Sequence, residues 1–159
     1  MKSKNISIQY REYGRADELS ADQKRIVDAA VEETKKSYAP YSKFHVGAAI
    51  LLEDGSVISG NNQENAAFPS GLCAERVAIF YAMAKNPDLK IKSIAIAASV
   101  NGVICQDPVY PCGACRQVML EYRTKGREKM EIITVGRDRI EVFEDIDSLL
   151  PFSFSDIPE

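Results

Sequence analysis

The stretch I-K-S-I-A-I-A-A-S-V, residues 91–100, decides the fold of this chain. Almost all of its side chains are apolar or small, and several are β-branched, which favours a strand. A strand that is apolar on both faces must be covered on both faces. The stretch therefore predicts a central strand, and the rest of the sequence has to supply its neighbouring strands and the layers that cover it.

The segments on either side of this strand alternate between helical and extended patterns. Ser20 and Gln23 have the spacing of a capping box at the start of a helix, and Pro40 limits where that helix can end. Asp54-Gly55 predicts the turn of a hairpin. Helices are predicted over 21–38, 73–85 and 116–122, and strands over 44–52, 57–60, 91–100, 129–136 and 139–143. This order predicts an α/β fold with three layers, α/β/α, around a central mixed sheet.

Length and composition fit a single domain. The chain has 159 residues, of which 45% are hydrophobic and 27% charged, close to the averages for globular proteins. We expect one domain over residues 1–159, with its core at 21–155 and an N-terminal extension at 1–19. Turn formers fill residues 61–72, which we expect to form a loop.

Charge and hydropathy exclude several classes of partner. The net charge of -3 gives no reason to expect a nucleic acid, whose binding depends on neutralised phosphates. The N-terminus lacks the apolar region of a secretory signal, and no apolar run approaches the length needed to cross a membrane. We therefore expect a cytoplasmic protein with a small-molecule substrate.

Three of the four cysteines are placed to bind a metal ion. Cys112 and Cys115, in P-C-G-A-C-R-Q (111–117), have the C-x-x-C spacing that lets a short turn direct two thiolates at one ion. Cys73 opens one predicted helix and Cys115 lies near the start of the next, where the helix dipole stabilises a thiolate. Three thiolates and one open position indicate a catalytic Zn²⁺ site, with one ion per chain.

Glu75, two residues after Cys73, gives this site an acid–base group. A tetrahedral site does not need it as a ligand, but it would lie close enough to move a proton of a water molecule that the metal activates. We expect its pKa to lie above the free value of about 4.3, raised by a partly buried pocket and opposed by the charge of the metal. A metal site with such a carboxyl group is suited to hydrolysis.

Other interpretations of these residues stay open. Cys105 could join the other three cysteines in a closed structural zinc site, although C-x₆-C-x₂-C is not a usual zinc-ribbon spacing. The thiols could also be ordinary buried structural side chains. His45 is the only histidine, and we expect it on a strand surface and not at the metal.

Four blocks of sequence resemble the cytidine deaminase family in its short, three-cysteine form. They stand in the family's order and cover roughly residues 25–155. The blocks are Y-A-P-Y-S-K-F-H-V-G-A-A (38–49), G-N-N-Q-E-N-A-A-F (60–68), C-A-E-R (73–76) and P-C-G-A-C-R-Q (111–117). The resemblance implies zinc-dependent hydrolysis of cytidine and 2′-deoxycytidine to uridine and 2′-deoxyuridine plus ammonia, in pyrimidine salvage.

The resemblance also implies a role for each matching position. Cys73, Cys112 and Cys115 match the zinc ligands, and Glu75 matches the proton shuttle. Arg76 matches a residue that hydrogen-bonds to ligand sulfurs, which would return positive charge to a site that three thiolates over-neutralise. Phe44 matches an aromatic residue beside the nucleoside. Asn62 and Glu64 match the pair that binds the ribose 3′-hydroxyl, and the backbone N–H of Ala74 would meet O2 of the pyrimidine.

The family's short members are homotetramers, so the resemblance implies four chains per molecule. In those proteins a phenylalanine near the C-terminus enters a neighbouring subunit's site. Phe154 is the best match here, with Phe152 as the alternative. The preference between ribose and deoxyribose is not determined by the sequence, and deamination of another base or of a cytosine-bearing antibiotic stays open.

Overall fold

Residues 91–100 form the central part of a seven-stranded mixed sheet, as their sequence predicts. The computed structural model describes residues 1–155. The strands are β1 Arg11–Tyr13, β2 Phe44–Leu52, β3 Val57–Asn61, β4 Ile91–Val100, β5 Val103–Ile104, β6 Glu131–Val135 and β7 Ile140–Phe143, and the helices are α1 Ala21–Thr34, α2 Ala74–Lys85 and α3 Gly113–Gly126. The strand order is β1-β7-β6-β4-β2-β3, and β5 pairs with the end of β4. Within residues 1–155, β4 and β6 are the only strands of this sheet that pair in parallel, so the sheet is mixed.

Helices cover both faces of the sheet. On one face α1 packs with Ile26 against side chains that include Ala97 of β4. On the other face α2 and α3 pack with Ile79 and Met119 against side chains that include Ile96 of β4. Successive residues of β4 thus point into different layers, which is why the strand must be apolar throughout. The predicted three-layer α/β/α fold is confirmed.

The end of α1 was predicted wrongly. The helix ends at Thr34, four residues before the predicted end at Tyr38. The backbone of Tyr38 pairs instead with the loop after β3: its N–H donates to the carbonyl of Asn62, and its carbonyl accepts from the N–H of Glu64. Pro40 sets a limit beyond which the helix cannot continue, but this tertiary pairing stops it earlier.

The other elements follow the predictions with small shifts at their ends. The hairpin of β2 and β3 turns at Gly55, whose φ of 84° is in the left-handed region that glycine adopts readily. The helix α3 is longer than predicted, whereas β6 and β7 are shorter. Strand β1 lies in the segment predicted as an N-terminal extension, and it pairs with β7 at the edge of the sheet.

Candidate metal centre and active site

Two helices begin close together on the same face of the sheet, and their first residues carry the clustered cysteines. Cys73 is the N-cap of α2, Cys112 is the N-cap of α3, and Cys115 lies in the first turn of α3. Helix α3 belongs to the connection between the parallel strands β4 and β6. The fold therefore brings together cysteines from two separate stretches of sequence, as the helix-start argument predicts.

The three sulfur atoms have the spacing of a metal site. The Sγ–Sγ distance is 3.9 Å between Cys73 and Cys112 and 3.5 Å between Cys112 and Cys115, and all three sulfurs lie within 4.8 Å of one another. A tetrahedral ion with Zn–S bonds of about 2.3 Å requires sulfurs about 3.8 Å apart, so both the donor type and the spacing fit zinc. Among residues 1–155, Cys105 is not in this group, which argues against the closed four-cysteine site.

Hydrogen bonds within the cysteine cluster favour the thiolate form of Cys73, which is the form that binds a cation. A hydrogen bond with Cys115 and another from Arg76 lower the pKa of the Cys73 thiol to about 5. The Nη2 atom of Arg76 lies 3.7 Å from the Cys73 sulfur. The bond with Cys73, together with burial, raises the pKa of Cys115. A divalent cation would displace the remaining thiol protons, because it binds the thiolate form of cysteine.

Glu75 lies in the wall of a cavity that also contains Cys73 and Cys112. Its side chain is buried, with 4% of the residue exposed. Burial is the main cause that raises the pKa of its carboxyl group, in the predicted direction. A carboxyl group with a raised pKa can both take and return a proton near neutral pH.

The residues predicted to contact a nucleoside line the same cavity, which has a volume of about 740 Å³. They are Phe44, Asn62, Glu64 and Ala74. The side chain of Asn62 accepts a hydrogen bond from the N–H of Val46 and donates one to the carbonyl of Phe44, so its second N–H is left for a ligand. Ala74 is the first residue of α2, where a backbone N–H has no acceptor within the helix.

The C-terminal phenylalanines lie on the surface of the chain. Phe154 is 68% exposed and Phe152 82%, and neither lines the cavity of its own chain. The side chain of Gln117, on α3, donates to the carbonyl of Phe154 over 2.8 Å and so ties the C-terminal segment to that helix. Residues 156–159 lie outside the described part of the chain.

The family model described as "Cytidine and deoxycytidylate deaminase zinc-binding region" matches residues 20–127. The chain belongs to this deaminase family. It is 44% identical to a cytidine deaminase of Halalkalibacterium halodurans over 100 residues, which are 63% of this chain and 71% of that protein.

Solved structures of deaminases have the same fold. The cytidine deaminase of Burkholderia pseudomallei superposes with a TM-score of 0.70 at 36% identity, over 82% of this chain and 97% of that one. The cytidine deaminase of Mycobacterium tuberculosis superposes with a TM-score of 0.67 at 31% identity, over 86% of this chain and 100% of that one. The expected resemblance to cytidine deaminases is therefore confirmed in both sequence and fold.

Several cavity residues of this deaminase were missed by the sequence analysis. Tyr41 and Phe68 pack edge to face with ring centroids 6.1 Å apart. Tyr110 donates its hydroxyl to Glu141, a carboxylate that is only 2% exposed, over 2.7 Å. Ser42 donates to Glu64. The two tyrosines and Ser42 stand in or beside the matched blocks, but the sequence gives no signal for their partners, because those lie on other elements.

Proposed function

We propose that this chain is a zinc-dependent enzyme that hydrolyses cytidine and 2′-deoxycytidine to uridine and 2′-deoxyuridine, with release of ammonia, in pyrimidine salvage. The observation that carries the proposal is the buried carboxyl group of Glu75, which shares a cavity with a cluster of three cysteine sulfurs. Membership of the deaminase family supports it, as do the relatives named cytidine deaminase.

The metal site is proposed at Cys73, Cys112 and Cys115, with one Zn²⁺ per chain. The bound ion would supply the Lewis acidity that activates water for attack on C4 of the cytosine ring. The chain contributes two helix N-termini, whose partial positive charge favours the thiolate form of the ligands. Arg76 adds a full positive charge beside the Cys73 sulfur.

Glu75 would carry the protons of the reaction. Its carboxylate takes a proton from the attacking water and delivers it to N3 of cytosine, which makes C4 more electrophilic. It then moves a second proton, from the hydroxyl group added at C4 to the exocyclic amino group. Ammonia leaves as the C4 carbonyl of uridine forms. Burial supports both steps, because it brings the carboxyl pKa closer to neutral pH.

The remaining cavity residues would hold the nucleoside. Phe44 would pack beside it, Asn62 and Glu64 would bind the ribose 3′-hydroxyl, and the N–H of Ala74 would bind O2 of the base. A volume of about 740 Å³ is within the range of small-molecule sites and leaves room for one nucleoside.

Ammonia release from cytidine tests this proposal directly. We expect the purified protein to form uridine and ammonia in equal amounts, and a zinc chelator to stop the reaction. Glu75→Gln should lower kcat by about 10²–10⁴-fold, because it cannot accept a proton, while it retains one zinc per chain. Deoxycytidine, adenosine and guanine are compared in the same assay. If the protein deaminates adenosine or guanine but not cytidine, the proposed substrate is wrong. Unchanged behaviour of Glu75→Gln would instead indicate a structural zinc site.

We also propose that the chain works in the cytoplasm as a homotetramer, without a nucleic-acid or membrane partner. Its four cysteines are free thiols in the structure, a state that a reducing compartment maintains. No helix within residues 1–155 is long and apolar enough to cross a membrane. Large apolar side chains are exposed on and near α2, where chains could pack together, and include Phe68, Phe80 and Tyr81.

A further inference from the structure

Ser42 lies between two of the residues proposed to bind the nucleoside. Its hydroxyl donates to Oε1 of Glu64 over 2.5 Å and accepts the backbone N–H of Phe44 over 3.0 Å. All three side chains line the same cavity. A single hydroxyl group is therefore bonded both to the carboxylate of Glu64 and to the backbone of Phe44, whose side chain lines that wall.

The same hydroxyl also supports the backbone around Ser42. Lys43 has a φ of 57°, in the left-handed region that a lysine seldom adopts. The hydrogen bond from Phe44 to the Ser42 hydroxyl closes the turn across Lys43, a contact typical of serine in tight turns. The start of β2 at Phe44 is thus supported by the same side chain that bonds to Glu64.

The carboxylate of Glu64 is almost fully used by the protein. Its Oε2 accepts from the N–H groups of Tyr41 and Ser42, over 2.8 and 3.2 Å, and its Oε1 accepts from the Ser42 hydroxyl. A carboxylate offers about four acceptor positions, two on each oxygen. One position therefore remains, on Oε1, and it suits one hydroxyl donor from a ligand. The bond from Ser42 is the largest cause that lowers the pKa of Glu64, so the group is an ionised acceptor at neutral pH.

We propose that Ser42 is a positioning residue for the nucleoside: its hydroxyl presents the one free acceptor site of Glu64 to the ribose 3′-hydroxyl and sets the ring of Phe44 against the same nucleoside. This inference rests on the proposed function. It adds a residue that acts through Glu64 and Phe44 and not through its own contact with the substrate.

The test compares Ser42→Ala with Ser42→Thr, using cytidine and 3′-deoxycytidine as substrates. Ser42→Ala should raise KM for cytidine about tenfold with a much smaller change in kcat, because a hydrogen bond to a charged group is lost far from the reacting atoms. The preference of the enzyme for cytidine over 3′-deoxycytidine should fall about fivefold in the same variant, since Glu64 no longer holds its acceptor site in place. Ser42→Thr keeps the hydroxyl and should restore both quantities.

Ser37→Ala is the matched control. Its hydroxyl lies 2.7 Å from Nδ1 of His45 and donates to the carbonyl of Thr34, in the loop just before Ser42, and it does not contact Glu64. Its KM should stay at the wild-type value. Melting temperatures of all variants are recorded, and calorimetric titration of cytidine into Glu75→Gln, with and without Ser42→Ala, measures binding without turnover.

Two results would overturn the inference. If Ser42→Ala lowers only the melting temperature, and leaves KM and the preference for cytidine unchanged, Ser42 stabilises a turn and does not position the substrate. If the zinc-loaded wild-type protein neither binds nor deaminates cytidine, the proposed function fails and the inference fails with it. The activity of the wild type distinguishes the two cases, because the wild type deaminates cytidine in the first case and not in the second.

Discussion

At the scale of single residues, Arg76 places a positive charge beside the cysteine cluster. It follows Glu75 on α2, and its Nη2 lies 3.7 Å from the sulfur of Cys73. Three thiolates around Zn²⁺ leave about one net negative charge, which weakens the ion's power to acidify water. A guanidinium beside one thiolate returns part of that positive charge.

We therefore expect Arg76→Gln to keep its zinc and lose activity. The expected loss in kcat is about 10–100-fold, with the pH–rate profile displaced to higher pH, because the water would be less acidic. Zinc content, measured by atomic absorption, and the pH–rate profile check this. Lys85→Gln removes a charge from the other end of the same helix and should leave both unchanged. A rate and profile equal to the wild type in Arg76→Gln would remove this role.

The residues of the site divide into those the sequence predicts and those it cannot. The spacing of Cys73, Cys112 and Cys115 predicted the sulfur cluster, since helix starts and a C-x-x-C turn are local features. The bond between Ser42 and Glu64 spans 22 residues, and it exists because the turn before β2 meets the loop after β3. No local sequence pattern predicts this contact between the turn and the loop.

At the scale of elements, Glu33 ties the end of α1 to β3. Its carboxylate accepts from the side chains of Ser59 over 3.0 Å, Asn61 over 2.7 Å and Lys36 over 2.8 Å. Burial raises the pKa of Glu33, but these hydrogen bonds more than offset it, so that the pKa lies below its ordinary value of 4.5. The stability from Glu33 is therefore present above its ordinary pKa and is lost as the pH falls through the lower pKa of the folded chain.

Glu33→Gln should consequently be less stable than the wild type mainly at pH values above the pKa of Glu33. We expect a decrease of about 1–2 kcal/mol in the free energy of unfolding near pH 7 and a smaller gap at an acid pH below the lowered pKa of Glu33 in the folded chain, where the wild-type carboxylate is protonated too. Urea unfolding of both proteins at both pH values measures the gap. Glu32→Gln, which removes an exposed carboxylate paired with Lys35, should show almost no gap. An equal gap at the two pH values would contradict this account.

Element boundaries were less predictable than element types. The apolar periods of α1, α2 and β4 predicted their type and place, because each buries a face against the sheet. The start of α3 was predicted three residues late, since the sequence around Cys112 has no apolar period. Strands β1 and β5 are too short to show alternation, and they form because the strands beside them offer free backbone groups.

At the scale of the whole molecule, the exposed Phe154 suggests how chains would depend on one another. Its carbonyl accepts a hydrogen bond from Gln117 on α3, while its ring is exposed and does not line the cavity of its own chain. In the proposed tetramer that ring would complete the site of a neighbour. Phe154→Ala should then lower kcat/KM about tenfold, because an aromatic contact with the substrate is lost, without a change in zinc content.

Mixed oligomers distinguish action on a neighbour from action within one chain. Chains with Phe154→Ala and chains with Glu75→Gln are co-expressed, so that each supplies what the other lacks. We expect the mixture to exceed the specific activity of either variant alone, and light scattering to report four chains per particle. Phe152→Ala is the control and should remain active by itself. A mixture no more active than the average of its two parents would place the effect within one chain.

The pairing of Cys73 with Cys112 joins parts of the chain that are 39 residues apart. A Zn²⁺ ion bound at these cysteines would act as a cross-link, because only the native protein brings their sulfurs together. Its binding energy would therefore add to the stability of the protein. A cell short of zinc would then lose more than catalytic rate. Its metal-depleted chains would unfold more often and be degraded sooner, so that the metal supply would govern the amount of protein as well as its output.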